Sequence, residues 1–177
     1  MNGIRVAREE DAAQIRGIYA PNVTDAFISF ETEAPSVTEM LARIRKTLPT
    51  HPWLVHDEDG DILGYAYAGR HRERTAYQWS ADVSCYVRPG ARGRGIGKAL
   101  YTELLRLLEG QGFRNAYAGI ALPNEASVRL HESVGFTPIG IYRGVGFKQG
   151  AWRDVGWWGL AMGQPAANPA PPRPFRG

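Results

Sequence analysis

A glycine-rich, basic segment at residues 88–98 stands between a predicted strand and a predicted helix. It reads RPGARGRGIGK, which places four cations within eleven residues. Glycine lets the backbone approach an anion closely, and the free N–H groups at the start of a helix can point at phosphate oxygens. The segment is therefore predicted to bind phosphate groups. The alternative is an ordinary surface turn that caps a helix.

The spacing within this segment excludes two common phosphate-binding motifs. A Walker loop needs serine or threonine after its Gly-Lys pair, but an alanine follows that pair here. A dinucleotide-binding fingerprint needs GxGxxG, and the third glycine is missing in either possible frame. The spacing that remains is R-x-x-G-x-G, formed by Arg92, Gly95 and Gly97.

The strand predicted before this segment alternates in polarity over residues 82–87. One face carries the polar side chains, namely Asp82, Ser84 and Tyr86. The other face carries Val83, Cys85 and Val87. The alternation suits a strand that lines a reaction site, although a half-exposed structural strand shows the same pattern. Cys85 has no basic partner nearby in the sequence, which favours a buried small side chain over a nucleophile.

A second motif, NEASVRLHESVGF, occupies residues 124–136. It resembles the N-x-x-A-x-x-L-Y-x-x-x-G-F segment of the GCN5-related N-acetyltransferases, a family that holds acetyl-CoA on an R-x-x-G-x-G loop. The resemblance extends from Ile4 to about Trp158. It implies an α/β fold with a mixed, mainly antiparallel twisted sheet flanked by helices. It also implies transfer of an acetyl group from acetyl-CoA to an amine, without a metal.

The resemblance implies where acetyl-CoA binds. The end of the strand at residues 82–87 would pair with pantetheine through the main chain of Cys85, Tyr86 and Val87. The glycine-rich loop and the second motif would contribute the remaining cofactor-binding residues, namely Arg92, Gly93, Arg94, Gly95, Ile96, Gly97, Lys98 and Asn124.

Acetyl transfer to an amine needs one group that takes a proton and another that gives one. The amine arrives mostly as ammonium, and the departing CoA thiolate benefits from a proton donor. Asp82 stands where a base could act, directly or through water, provided that burial raises the pKa of its carboxyl. His131 stands where the broader family has tyrosine, and it either serves as acid or base or only packs under the cofactor.

Within this family, four short stretches resemble the phosphinothricin and methionine sulfoximine acetyltransferases, namely residues 76–79, 122–124, 127–132 and 150–156. His131 is typical of that branch, whereas a glutamate commonly stands where Asp82 does. The branch implies that Arg72 and Arg74 receive an anionic substrate group, while the sequence alone favours a solvated turn for both. The implied acceptor-binding residues are Phe30, Arg72, Arg74, Tyr77, Ser84 and Tyr86.

Three functional hypotheses follow. The first is N-acetylation of the α-amine of phosphinothricin, methionine sulfoximine or methionine sulfone by direct attack in a ternary complex, a detoxifying activity that confers herbicide resistance. The second keeps the chemistry but takes a protein N-terminus, a lysine or a polyamine as acceptor. The third is a CoA-binding interaction module without catalysis. A pocket with Arg72 and Arg74 at its base favours the first hypothesis, and an open acidic groove would favour the second.

Hydrophobic periodicity predicts the elements that position these residues, in the order βα, α, ββ, βα, βα, ββ. The predicted helices start at Asp11, Ser36, Ile96 and Asn124, and a capping box at Ser36–Glu39 marks the second. Aromatic residues crowd the last two strands, namely Tyr142, Phe147, Trp152, Trp157 and Trp158. Exposed rings there would form an apolar patch, and related hairpins in the resembled family help to form a homodimer, so a homodimer is expected.

Length and composition limit the remaining possibilities. The chain has 177 residues and a formal charge of +3, which suits one domain at residues 1–162 with a proline-rich tail at 163–177 that is predicted to be disordered. The single cysteine excludes a scaffold built on disulfides. Since neither a signal peptide nor an apolar run of about 20 residues is evident, a cytoplasmic protein without membrane contact is expected. The basic charge is too local for nucleic-acid binding.

Overall fold

One seven-stranded sheet organises residues 3–164 and 166–176, which are the part of the chain that this computed structural model describes. Its strands are β1 (Ile4–Val6), β2 (Trp53–Glu58), β3 (Asp61–Arg70), β4 (Ser80–Val87), β5 (Asn115–Leu122), β6 (Thr137–Lys148) and β7 (Ala151–Ala161). Their spatial order is β1-β2-β3-β4-β5-β7-β6, and only β4 and β5 are parallel neighbours. The predicted mixed, mainly antiparallel sheet is confirmed.

Helices lie on both faces of this sheet, namely α1 (Ala12–Thr24), α2 (Val37–Thr47), α3 (Ile96–Gln111) and α4 (Glu125–Glu132). The predicted capping box starts α2, because Ser36 Oγ accepts from the Glu39 N–H and Glu39 Oε2 accepts from the Ser36 N–H. Gly112, with φ of +102°, ends α3 as predicted. Among the described residues, none of the helices combines the length and apolarity that crossing a membrane requires.

The two faces of the sheet bury two separate apolar clusters. Leu100, Leu104 and Leu108 of α3 are fully buried against one face, where Val83 of β4 belongs to the same cluster. The helices α1 and α2 cover the other face, where Tyr86 packs. The alternation along β4 therefore divides its side chains between the two faces, as predicted.

The parallel pair β4 and β5 stays together for only three residues of each strand. Ser80–Asp82 pair with Asn115–Tyr117, and the pairing then stops while β5 continues against β7 as far as Leu122. The carboxyl ends of β4 and β5 consequently leave a gap in the sheet. Ligands commonly bind at the carboxyl ends of parallel strands, and the glycine-rich segment follows β4 at this point.

The proline-rich tail contacts the body of the domain in this structure, and its predicted disorder stays a prediction. Five hydrogen bonds join it to the body. They run from the Trp79 indole to the Ala170 carbonyl, from the Arg173 N–H to the Gln111 carbonyl, from the Gln111 side-chain amide to the Arg173 carbonyl, from the Arg173 guanidinium to the Gly110 carbonyl and from the Phe175 N–H to the Pro49 carbonyl. The physical reason is that the last carbonyls of α3 need partners, which Arg173 supplies. Pro165 and Gly177 lie outside the described residues, and the division at residue 162 stays a prediction.

Candidate active site

The glycine-rich segment forms the entrance to α3. Gly93 and Gly95 have φ of +78° and +80°, a conformation that other residues rarely adopt. The first hydrogen bond of the helix runs from the Ala99 N–H to the Gly95 carbonyl at 3.0 Å. The three N–H groups at positions 96–98 precede that bond and stay available at the positive end of the helix dipole.

Gly97 has a separate role, because it lets α3 approach α4 closely. A Cβ atom at position 97 would lie 3.0 Å from Cδ2 of Leu130, which is tighter than ordinary contact. The R-x-x-G-x-G spacing therefore combines a left-handed glycine at position 95 with a close-packing glycine at position 97.

A cavity of about 310 Å³ opens between this loop, the end of β4 and the start of α4. The structure brings to it all but one of the residues predicted to bind the cofactor, namely Cys85, Tyr86, Val87, Arg92, Gly93, Gly95, Ile96, Gly97, Lys98 and Asn124. Asn124 also caps α4, since its side-chain oxygen accepts from the Ser127 N–H at 3.2 Å. Asn22 and Ile28 line the same cavity without any signal in the sequence.

Two of the four cations of the segment are bound by acids of the β2–β3 hairpin. Arg88 donates to both carboxylate oxygens of Asp61 at 2.8 Å, and Arg94 donates to Glu58 at 2.7 and 2.9 Å. The side chain of Arg94, which the sequence assigned to the cofactor, therefore points to Glu58 instead. Arg92 and Lys98 carry the cationic side chains that line the cavity.

A smaller cavity of about 50 Å³ lies in the gap between β4 and β5. Its walls include Ser84 and Cys85 from β4, Ile120 from β5, Tyr101 from α3 and His131 from α4. It shares five lining residues with the larger cavity, namely Ile28, Cys85, Tyr86, Asn124 and Ser127. The two cavities thus adjoin along a single path from the loop to the gap.

Burial makes Cys85 an unsuitable nucleophile. It raises the pKa of the thiol to about 12, so the thiol stays protonated at neutral pH. A cysteine attacks as the thiolate, which this environment disfavours. The preference for a buried structural role is therefore supported.

His131 is buried, and both of its ring nitrogens are engaged. Nδ1 lies 2.7 Å from the Ser127 carbonyl and Nε2 lies 2.8 Å from the Tyr101 hydroxyl. Burial lowers the pKa of the imidazole, although the bond to Ser127 opposes that shift, so the ring is neutral at pH 7. Since a carbonyl only accepts, Nδ1 carries the proton, and Nε2 accepts from Tyr101.

Tyr101 is a site residue that the sequence did not reveal. It is fully buried on α3, lines the cavity between β4 and β5, and donates its hydroxyl proton to His131. Its position within the apolar repeat of α3 is typical of a core residue, so its hydroxyl gave no separate signal.

Asp82 stands on β4 at the last position paired with β5. Burial raises the pKa of its carboxyl, while a hydrogen bond from His71 and the charge of Arg72 oppose that shift. Oδ1 of Asp82 lies 2.6 Å from Nδ1 of His71. Burial thus raises the pKa of the Asp82 carboxyl, as its predicted role as a base requires. The sequence did not single out His71, because it lies within a charged segment in which only the arginines were predicted to bind a substrate.

The residues predicted to bind the acceptor are divided among several places. Arg72 and Arg74 line a cavity of about 240 Å³ that the tail residues Pro172 and Arg173 also border. The Arg72 guanidinium also lies 5.8 Å from the centre of the Trp157 ring. The other predicted acceptor residues do not line that cavity, namely Phe30, Tyr77, Ser84 and Tyr86.

Two of these remaining residues face the gap between β4 and β5, and two lie at the surface. Ser84 and Tyr86 line the small cavity in the gap. Tyr77 is 45% exposed and Phe30 is 39% exposed. The loop that carries Phe30 is held by Lys148 of β6, whose Nζ donates to the carbonyls of its neighbours at positions 29 and 31.

Comparison with known proteins agrees with this arrangement. Residues 4–157 match the acetyltransferase (GNAT) domain family. The chain is 39% identical over 173 residues to the phosphinothricin N-acetyltransferase of Streptomyces viridochromogenes, covering 98% of this chain and 92% of that protein. It is 33% identical to the L-methionine sulfoximine/L-methionine sulfone acetyltransferase of Salmonella typhimurium, covering 94% of this chain and 98% of that protein.

A solved structure shows the same similarity. The crystal structure of a GNAT superfamily phosphinothricin acetyltransferase from Sinorhizobium meliloti, in complex with AcCoA, superposes with a TM-score of 0.89 at 35% identity, covering 98% of each chain. The loop, the gap between β4 and β5, and these matches lead to one conclusion: the chain belongs to the GNAT family of acetyltransferases.

Proposed function

We propose that this enzyme transfers the acetyl group of acetyl-CoA to the α-amine of a small amino-acid analogue such as phosphinothricin, methionine sulfoximine or methionine sulfone. The observation that carries the proposal is the path of adjoining cavities from the glycine-rich loop to the gap between β4 and β5. The relatives that bear these substrates in their names match over nearly the full chain, which supports the substrate class.

The loop supplies groups that fit the pyrophosphate of CoA. The backbone N–H groups at positions 96–98 suit phosphate oxygens, and Arg92 and Lys98 add positive charge beside them. Along Cys85, Tyr86 and Val87, β4 pairs with β3 but no longer with β5, so the edge of this strand that faces the gap offers its main chain to the pantetheine arm. When bound, acetyl-CoA supplies an acetyl carbon whose bond to sulfur breaks as its bond to the amine nitrogen forms.

The proton donors and acceptors lie at both ends of the gap. Asp82 takes a proton from the acceptor ammonium, which needs a lone pair to attack. Tyr101 lines the gap and is the proposed donor to the departing thiolate. Its O–H leaves Nε2 of His131 to protonate the sulfur, and the proton is replaced by the one that the amine nitrogen loses as the C–N bond forms. His131 therefore acts through Tyr101 in this proposal. The protonated thiol of Cys85 favours direct attack over an acyl-enzyme.

The acceptor's anionic end is assigned to Arg72 and Arg74. Both guanidinium groups border one cavity, and their planar donors suit carboxylate and phosphinate oxygens. The acceptor approaches from the face of the sheet that carries Asp82, opposite to α3.

A homodimer is part of the proposal. Exposed apolar residues are concentrated on β6 and β7, namely Ile139, Ile141, Tyr142, Val145, Phe147 and Trp152. Because β6 is an edge strand of the sheet, a second copy can cover part of this apolar surface. Light scattering on the purified protein tests the proposed homodimer. A dimer mass is expected, and a monomer mass would contradict the proposal. A cytoplasmic location and a contribution to herbicide resistance stay predictions.

The substrate class is tested by measuring the release of CoA thiol with acetyl-CoA and each candidate amine. We expect saturable release with phosphinothricin, methionine sulfoximine or methionine sulfone, and an acetylated α-amine in the product. Release only with a peptide N-terminus, a lysine or a polyamine would replace the proposed acceptor. Binding of CoA without release on any amine would indicate a non-catalytic module.

A further inference from the structure

We propose that His71 is the positioning residue for the base of this reaction, holding the Asp82 carboxylate at the gap where the acceptor amine is deprotonated. This inference rests on the function proposed above. His71 lies outside both sequence motifs and directly follows β3.

The contact between the two side chains is short and partly shielded from solvent. Nδ1 of His71 lies 2.6 Å from Oδ1 of Asp82, and the His71 and Asp82 side chains are 14% and 38% exposed. The antiparallel pairing of β3 and β4 brings them together, because Arg70 at the end of β3 pairs with Ala81. Residues eleven positions apart in the chain thereby become neighbours at the end of one strand pair.

Aromatic rings fix the imidazole in place. The His71 ring lies 4.6 Å from Tyr117 at a shallow angle, and Tyr77 and Trp157 contact it edge-on at 6.0 and 6.3 Å. Tyr117 is the residue of β5 that pairs with Asp82, at the last position before the strands separate. The imidazole is therefore anchored at the mouth of the gap, and it orients the carboxylate that it contacts.

The direction of the hydrogen bond follows from the chemistry of the two groups. A carboxylate only accepts, so Nδ1 of His71 carries the proton that it shares with Oδ1. Oδ2 is then the oxygen that receives a proton from the acceptor ammonium and later passes it to water. The lone pair left on the amine nitrogen is the one that attacks the acetyl carbon.

The same bond helps to keep the carboxylate ionised. Burial raises the pKa of Asp82, and the donor on His71 lowers it again. The other charged or titratable groups near the pair are Arg72 from the same loop, Tyr67 from β3, and Tyr77 and Tyr117. Of these, Arg72 also lowers the pKa of Asp82 by its charge, so His71 is one of two groups that oppose protonation.

His71 also compensates for the short side chain at position 82. Aspartate is shorter than glutamate by one methylene group, so its carboxylate reaches less far from the strand. A carboxylate that reaches less far gains more from a partner that fixes its orientation, since the catalytic geometry tolerates little displacement.

The test compares His71→Phe with His71→Gln in the full chain, using acetyl-CoA and the best acceptor found for the wild type. Phenylalanine keeps an aromatic ring beside Tyr117 but cannot donate to Asp82. We expect kcat to fall about 10- to 100-fold with KM for both substrates within about 2-fold. We also expect the acid limb of the kcat/KM profile to move to higher pH. Glutamine keeps a donor and restores most of the rate.

His56→Phe serves as the matched control, because His56 is a partly shielded histidine on β2 that contacts a carboxylate, Glu58, on the same strand. It should leave kcat and the pH profile unchanged. A wild type without turnover on any amine would refute the proposed function itself. An active wild type whose rate and pH profile survive His71→Phe would overturn only the role of His71.

If His71→Phe does not fold, the position of the imidazole proton of His71 in the wild-type protein tests the proposal instead. The ¹⁵N spectrum of the imidazole at pH 8 should show the proton on Nδ1 of His71. A proton on Nε2 would remove the donor to Asp82 and overturn the proposal.

Discussion

Two regions of the molecule prepare for their ligands by different means. At the entrance to α3, the loop for acetyl-CoA is built from backbone N–H groups, glycine conformations and one close contact between α3 and α4. Beyond the end of β3, the acceptor region is built from side chains, with Asp82 held by His71 and with Arg72 and Arg74 in a surface cavity.

This difference separates recognition of the cofactor from recognition of the acceptor. Backbone groups recognise the part of the cofactor that every acetyl transfer shares, and they depend on few side chains. Side chains from separate loops recognise the acceptor, so substitutions there can change the substrate without disturbing the cofactor.

Replacing Asp82→Asn removes the proposed base, and we expect kcat to fall by about 10² to 10⁴. KM for acetyl-CoA should stay within about 2-fold, because Asp82 does not line the cavity beside the loop. In the wild type, kcat/KM should rise with pH as the Asp82 carboxyl ionises, at a higher pH than for an exposed aspartate, since burial raises its pKa. Steady-state kinetics across pH measure both effects, and an active Asp82→Asn enzyme would remove Asp82 from the mechanism.

Replacing Gly95→Val forces a β-branched residue into φ of +80°. The strain should distort the loop and raise KM for acetyl-CoA about 10-fold, with KM for the acceptor unchanged. Gly90→Ala is the matched control, since it lies in the same segment with open space around its Cβ position. Equal cofactor affinity in the two variants, measured by calorimetry with CoA, would contradict a loop that depends on backbone geometry.

The pair Arg92→Ala and Arg94→Ala distinguishes a cation that faces the cavity from one that faces an acid. Loss of Arg92 should raise KM for acetyl-CoA about 5- to 20-fold, because it removes a charge-assisted contact to phosphate. Loss of Arg94 should change it by less than about 2-fold, because its guanidinium binds Glu58. The reverse order of effects would show that the ion pair opens when the cofactor binds.

Deleting residues 166–177 should have the smallest effect. It removes the bonds of Arg173 and Phe175 and the carbonyl that Trp79 contacts, which together stabilise the fold by about 1 to 2 kcal/mol. The melting temperature should then fall by roughly 3 to 6 °C. Calorimetric melting measures this change, with Gln111→Ala as a second variant that removes two bonds from the Gln111 side-chain amide, one of them to the tail. An unchanged melting temperature would support the disordered tail that the sequence predicts.

Residues whose role depends on local backbone could be predicted from the sequence. Gly95 and Gly97 stood out because their spacing and their place between a strand and a helix are visible in eleven residues. The division of the β4 side chains between the two faces of the sheet followed from the alternation of polar and apolar residues. The strands and helices followed from the same local signals, and the family followed from the resemblance of the two motifs.

Residues whose role depends on pairing between distant strands could not be predicted. His71 reaches Asp82 only through the register of β3 and β4, and Arg94 finds Glu58 across a separate hairpin. Tyr101 repeats at the same helical spacing as the buried leucines of α3, so periodicity alone marks it as core. The contact of the tail with the carbonyl of Gln111 at the end of α3 is likewise not encoded in the composition of the tail.

The most direct test of the account is the initial rate of CoA thiol release as acetyl-CoA and an α-amine acceptor are varied together. The account predicts saturation in both substrates and intersecting double-reciprocal lines, because the acetyl group passes directly to an amine deprotonated at Asp82 while both ligands are bound. Parallel lines would indicate an acyl-enzyme, and release that does not depend on the amine would show that no acceptor is deprotonated there. Either result would contradict the central claim.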